Sequence, residues 1–193
     1  MRLPNPETWQ SRKLTQSRVA DYKPFVMVDG EGVRCSLYVS GCPFACEGCF
    51  NEAAWNFRYG QPYTSELEDR IIADLGHEAV QGLTLLGGEP FLNTEVCLRL
   101  ARRVRQVFGA EKDIWCWSGY TFEELMEHPV FAHQDKVELL GLLDVLIDGR
   151  FELSQRDLSL AFRGSRNQRV LAVPASLASG KAVAWQPRRL MKS

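Results

Sequence analysis

Three cysteines in one short loop, Cys42, Cys46 and Cys49, constrain this chain more than any other feature. Their C-x3-C-x2-C spacing delivers three thiolates together. A zinc ribbon reaches four ligands with two C-x2-C pairs, or with one pair and added histidines. Only Cys46 and Cys49 have that spacing here, and His77, His128 and His133 lie far along the chain. Four-cysteine ferredoxin motifs use other spacings. Three thiolates on a cuboidal four-iron cluster leave one iron without a protein ligand, and an open position is where chemistry takes place. The loop therefore reads first as an iron–sulfur site, with zinc as the alternative.

The other cysteines are isolated. Cys35 lies in the apolar run 35–39, Cys116 in the run 114–117, and Cys97 on an expected helix. Free cysteine is a small buried hydrophobe, so all three read as core residues. Residues 1–20 lack the apolar stretch of a secretory signal, and no run of about 18 apolar residues is present. A cytoplasmic location is expected, where a disulfide framework is unusual. With 193 residues, 45% of them hydrophobic and 24% charged, the chain suits one soluble domain. Twenty-three Lys and Arg against 24 Asp and Glu give a net charge of −1. That balance argues against nucleic acid or a membrane surface as a partner.

Strands and helices alternate along the sequence. Strands are expected at 35–39, 83–86, 114–117, 145–147 and 170–173, the last stopped by Pro174. Ser65 and Glu68 form an S-x-x-E capping box for a helix carrying Leu67, Ile71 and Leu75. A second helix covers 94–108, with Gly109 as its stop. Its arginines, Arg99, Arg102, Arg103 and Arg105, read as a solvated face, with phosphate or partner binding as the alternative. Thr121 and Glu124 cap a short helix that closes near Pro129, and 137–143 continues as helix. This order predicts an α/β fold with a mainly parallel sheet. The cysteine loop, Gly87-Gly88-Glu89-Pro90, Ser118-Gly119-Tyr120 and Asp148-Gly149-Arg150 each follow a strand directly. Loops at the carboxyl ends of parallel strands build active sites, so the four should converge. Gly87 and Gly88 would let a ligand approach the backbone, and Glu89 offers a carboxylate to an ammonium group. No P-loop motif is present.

The cysteine motif followed one βα unit later by Gly-Gly-Glu-Pro resembles the radical S-adenosylmethionine superfamily. Further segments narrow the resemblance: 28–34, 40–51 with Trp55, 114–125, 144–151 and 162–169. In that order they are similar to the activating proteins of anaerobic (class III) ribonucleotide reductases. The resemblance spans about residues 22–169. It implies that Cys42, Cys46 and Cys49 hold a [4Fe-4S] cluster. It also implies that Gly48, Cys49, Phe50, Gly87, Gly88 and Glu89 contact S-adenosylmethionine, which the amino and carboxylate groups anchor to the open iron. Reductive cleavage would give methionine and a 5′-deoxyadenosyl radical, and hydrogen abstraction would leave a glycyl radical on the large reductase subunit. A flavodoxin-like electron donor is also implied. Asp148 and residues 162–169 are candidates for shaping the pocket or receiving the glycine loop, with salt-bridged scaffold as the alternative. Gly48 replaces the aromatic residue usual before the third cysteine, Phe50 stands where many relatives have Tyr, and Ser118 replaces a common Thr.

The resemblance implies a partial, incomplete βα barrel of radical S-adenosylmethionine type with mainly parallel strands. A complete eight-unit barrel of typically about 250 residues exceeds this length. The open side would admit another protein's glycine loop. The core is expected at 22–174, between an N-terminal extension at 1–21, which carries Trp9 and Lys13, and a C-terminal tail at 175–193. Two other readings stay open. One is a small-molecule radical enzyme resembling 7-carboxy-7-deazaguanine synthase, or an activase of another glycyl-radical enzyme. The other is a non-enzymatic iron–sulfur or zinc module, against which Gly87 to Pro90 speaks.

Overall fold

The computed structural model describes residues 17–127 and 134–187. Among them seven strands form one sheet: β1 (Arg18–Val26), β2 (Val33–Val39), β3 (Gln61–Pro62), β4 (Val80–Gly87), β5 (Asp113–Trp117), β6 (Val145–Asp148) and β7 (Arg169–Ala172). Their spatial order is β3-β1-β2-β4-β5-β6-β7. The central strands β2, β4, β5 and β6 run parallel, while β1, β3 and β7 pair antiparallel at the two edges. The mixed α/β sheet with a parallel centre is the architecture expected of a partial βα barrel.

Side chains alternate between the two faces of each strand. One face carries Cys35, Leu37, Leu83, Leu85, Ile114, Cys116 and Leu146, all fully buried. It packs against α1 (Ser65–Leu75), α2 (Thr94–Phe108) and α4 (Gln134–Leu142) through Ile71, Leu75, Val96, Leu100, Val104, Leu139 and Leu140. Cys97 also lies in this core, so the three isolated cysteines are packing residues. The opposite face holds Arg34, Ser36, Thr84, Trp115, Val145 and Ile147. Arg34 is wholly buried there. It ion-pairs with Asp113 at 2.6 Å, donates to Thr84 Oγ1 and the Leu83 carbonyl at 2.7 Å, and stacks over Trp115 at 5.0 Å. Removing one member of a buried pair strands the other charge in low dielectric. Asp113→Ala is therefore expected to lose about 3–5 kcal/mol of stability in equilibrium denaturation.

Local signals decided most helix ends, with shifts that have physical causes. The cap of α1 is Thr64, whose hydroxyl accepts from Leu67 N at 3.3 Å; Ser65 is already helical. Glu68 is not the return partner of a capping box but a buried anion held by Arg99 and Arg103. The capping box at α3 (Phe122–Met126) is present in both directions, between Thr121 and Glu124. Pro129 lies outside the described residues. Pro174 does not simply stop a strand: it sits in the first turn of α5 (Val173–Ser179), where proline fits because its missing N–H has no helical partner.

The arginines of α2 are not a free face. Arg99 and Arg103 tie α2 to α1, Arg102 pairs with Glu138 on α4, and Arg105 reaches Asp144 at 2.6 Å and the Leu142 carbonyl. An exposed pair such as Arg102–Glu138 contributes little to stability, whereas buried Glu68 depends on its two arginines; in every case the guanidinium group is occupied.

The described fold extends past both expected limits of the 22–174 core. β1 begins at Arg18, and fully buried Val19 pairs with Val39. Beyond α5, Ala184 bridges Leu171, and the Trp185 ring packs against Trp115 at 5.0 Å. Trp9 and Lys13 lie outside the described residues.

Candidate active site

All four strand-following loops line one cavity of about 390 Å³ at the carboxyl edge of β2, β4, β5 and β6. Cys42, Cys46, Gly48, Cys49, Phe50, Gly87, Gly88 and Glu89 all border it, together with Ser118, Gly119, Gly149 and Arg150. The parallel register places these loops side by side, so the convergence follows from topology.

Main-chain bonds dock the cysteine loop onto the glycine pair. Gly88 N donates to Val39 O at 2.7 Å, and Glu89 N donates to Gly41 O at 2.8 Å. A Cβ at Gly88 would lie 2.6 Å from Gly41 O and 2.9 Å from Val39 O. Glycine is required there by backbone meeting backbone, rather than only by a ligand approaching, as the sequence suggested. Gly48 has φ +73°, and a Cβ there would come within 3.2 Å of Leu153 Cδ1. The left-handed turn into Cys49 therefore strains any side chain at this position, an aromatic one included.

The cysteines are free and partly buried. Burial, followed by the charge of Glu89, pushes the Cys42 thiol up to about 12. Burial, followed by Cys49, raises Cys46. A cationic centre reverses this cost by stabilising thiolates. Backbone amides already point at the sulfurs: Phe44 N at Cys42, Phe151 N at Cys46, and Asn51 N at Cys49 at 3.4 Å. Such bonds stabilise cluster-ligating sulfur and set its potential. Among the described residues no group of three or more His, Cys, Asp or Glu is already gathered closely enough to hold a metal ion. A cuboidal cluster asks each thiolate to bind a different iron, and three cysteines around one cavity fit it.

Glu89 is 1% exposed and is held largely by protein donors. Its Oε1 accepts from Ser118 Oγ at 2.9 Å and Phe91 N at 3.0 Å, and its Oε2 accepts from Gly119 N at 2.8 Å. A carboxylate offers about four acceptor positions, so about one remains for a ligand. Burial pushes its carboxyl up to about 7, against the pull of these donors. Glu89 thus joins the β4 and β5 loops, a role that the motif alone did not reveal. Phe44 completes the interlock, packing edge-on against Tyr120 at 4.7 Å between ring centroids.

Asp148 is buried, accepting from Phe122 N at 2.7 Å and Arg169 Nε at 3.0 Å, which favours the scaffold reading for both. Gln168 folds 162–169 back on itself, accepting from Gly164 N and donating to Gly149 O at 3.0 Å. Gly164 and Gln168 form part of the cavity wall, whereas Arg166 pairs with Asp157 outside it. Sequence reading missed Leu153, Arg156 and Leu158, which also line the cavity. They lie in an irregular stretch without periodicity. Phe50 is 100% exposed and Leu158 82%, giving the cavity an apolar rim.

The fold and site define an iron–sulfur protein: the family model for a 4Fe-4S single cluster domain matches residues 28–171. The activating protein of the anaerobic ribonucleoside-triphosphate reductase from Pasteurella multocida is 44% identical over 151 residues, covering 76% of this chain and 92% of that one. Its namesakes from Escherichia coli K12 and Enterobacteria phage T4 are each 40% identical, covering 76% of this chain and 93% and 88% of theirs. The chain belongs to the family of anaerobic ribonucleoside-triphosphate reductase-activating proteins. The solved structure of QueE from Escherichia coli matches at TM-score 0.40 and 12% identity, over 94% of this chain and 100% of that one. That likeness is too loose to bear on function. No helix among the described residues is long and apolar enough to cross a membrane.

Proposed function

We propose that this chain activates an anaerobic ribonucleotide reductase by generating a glycyl radical on its large subunit. The observation that carries this reading is the convergence of three free cysteines and the Gly87–Glu89 turn on one cavity. Cys42, Cys46 and Cys49 would hold the [4Fe-4S] cluster. Gly48, Cys49, Phe50, Gly87, Gly88 and Glu89 would contact S-adenosylmethionine. When bound, the cluster and S-adenosylmethionine supply a one-electron cleavage that yields methionine and a hydrogen-abstracting radical.

The chain's own residues would hold and orient these groups. The interlocked Glu89, Ser118 and Gly119 fix the wall of the cavity, so ligand binding need not order it. The remaining acceptor position on Glu89 suits a ligand ammonium group. The open, apolar mouth at Phe50 and Leu158 would face the protein substrate, and a flavodoxin-like protein in the cytoplasm would supply the electron.

The test is anaerobic reconstitution followed by addition of S-adenosylmethionine and a reductant. Equal amounts of 5′-deoxyadenosine and methionine are expected. An intact, reducible cluster that yields neither would contradict the reading.

A further inference from the structure

The Arg150 guanidinium stands over the Phe44 ring at 4.7 Å and ion-pairs with Glu124 at 2.9 Å. Asn167 Nδ2 donates to the Arg150 carbonyl at 2.7 Å, fixing its main chain. Phe44 lies in the loop between Cys42 and Cys46, and the residue after Arg150 gives its N–H to the Cys46 sulfur. Ring, carboxylate and main chain thus build a cation into the wall of the cavity that the cysteines line.

We propose that Arg150 is a positioning residue for charge: it raises the reduction potential of the cluster held by Cys42, Cys46 and Cys49, and Glu124 limits that effect. The proposal rests on the cluster reading above. Reduction takes one electron from an external one-electron donor, which is oxidised by one, and adds one negative charge to the cluster. A fixed cation nearby stabilises the reduced form, and its carboxylate partner opposes this. Net charge near a cluster is among the factors that set its potential, and a low local dielectric enlarges the effect.

The experiment is a redox titration of the reconstituted full chain with dithionite and mediators, without S-adenosylmethionine, read by visible absorption and electron paramagnetic resonance. Arg150→Gln should lower the reduced-to-oxidised ratio at the wild-type midpoint about tenfold, a shift of about 59 mV for one electron. Arg150→Lys should stay near wild type. Glu124→Gln should move the potential the opposite way. Loss of packing alone would not give opposite signs for the two members of one ion pair. Unchanged potentials with full iron content would overturn the proposal, as would shifts of the same sign. If Arg150→Gln holds no iron, Glu124→Gln decides, and an unmoved potential there overturns the proposal. An unchanged potential with weakened S-adenosylmethionine binding would instead make Arg150 a ligand contact. A wild-type chain that holds no cluster overturns this proposal together with the reading beneath it.

Discussion

Cys46→Ala is expected to lose the cluster outright, with iron content and the visible charge-transfer absorption falling to near background. The remaining two thiolates cannot hold three corners of a cuboidal cluster, and the loop offers no further cysteine. Arg150 and Phe151 abut this position, but neither has a soft donor side chain. Cys97→Ala is the internal control. Cys97 is fully buried among apolar side chains of the helical core, and burial holds its thiol well above the ordinary range. That variant should keep full iron content at a stability cost of about 1 kcal/mol. Equal iron loss in both variants would contradict the division of the cysteines into ligands and core.

Glu89→Ala is the second change with a large expected effect. It removes the acceptor of Ser118 Oγ, Gly119 N and Phe91 N within a buried site. Each stranded donor costs about 1–3 kcal/mol, so the loss should exceed about 3 kcal/mol even with partial relaxation. The β4 and β5 loops would separate, and cluster retention should fall with them. Glu89→Gln tests the charge alone. The carboxyl at about 7 lies above its ordinary 4.5, so the folded chain keeps a proton that the unfolded chain releases between those values. Stability of the cluster-free protein should therefore fall as pH rises from about 4.5 to about 7, by roughly 3 kcal/mol from this group. Glu89→Gln should flatten that slope in denaturation series across the same interval. A slope identical to wild type would show that Glu89 is not the group responsible.

Much of this was legible in the sequence because it depended on local rules. The apolar runs around Cys35, Leu85, Ile114 and Leu146 became the parallel strands, and the Thr121–Glu124 box capped its helix as read. Parallel order then brought four loops together without any knowledge of side-chain contacts. What escaped reading depended on tertiary partners. Beyond Val19, β1 alternates between half-buried and exposed positions, and β3 covers only Arg18 and Val19 on its outer side, so its residues carry no continuous apolar signal. The burial of Arg34 needs Asp113, Thr84 and Trp115 from two other strands, and nothing near Arg34 in sequence announces them. Gly88 shows the same limit. Its spacing from the cysteines pointed to the site, but the reason for glycine lies in the Gly41 backbone against which it packs. Leu153 and Leu158 sit in an aperiodic stretch, and only the fold places them at the cavity mouth.

Electron paramagnetic resonance of a defined mixture tests glycyl-radical generation by this chain. The reconstituted chain, S-adenosylmethionine, a one-electron reductant and the large subunit of an anaerobic ribonucleotide reductase are combined without oxygen and frozen. A glycyl-radical signal is expected that needs every component and disappears with Cys46→Ala. An intact cluster that cleaves S-adenosylmethionine yet leaves no radical on the reductase would contradict it, and would point instead to a small-molecule substrate.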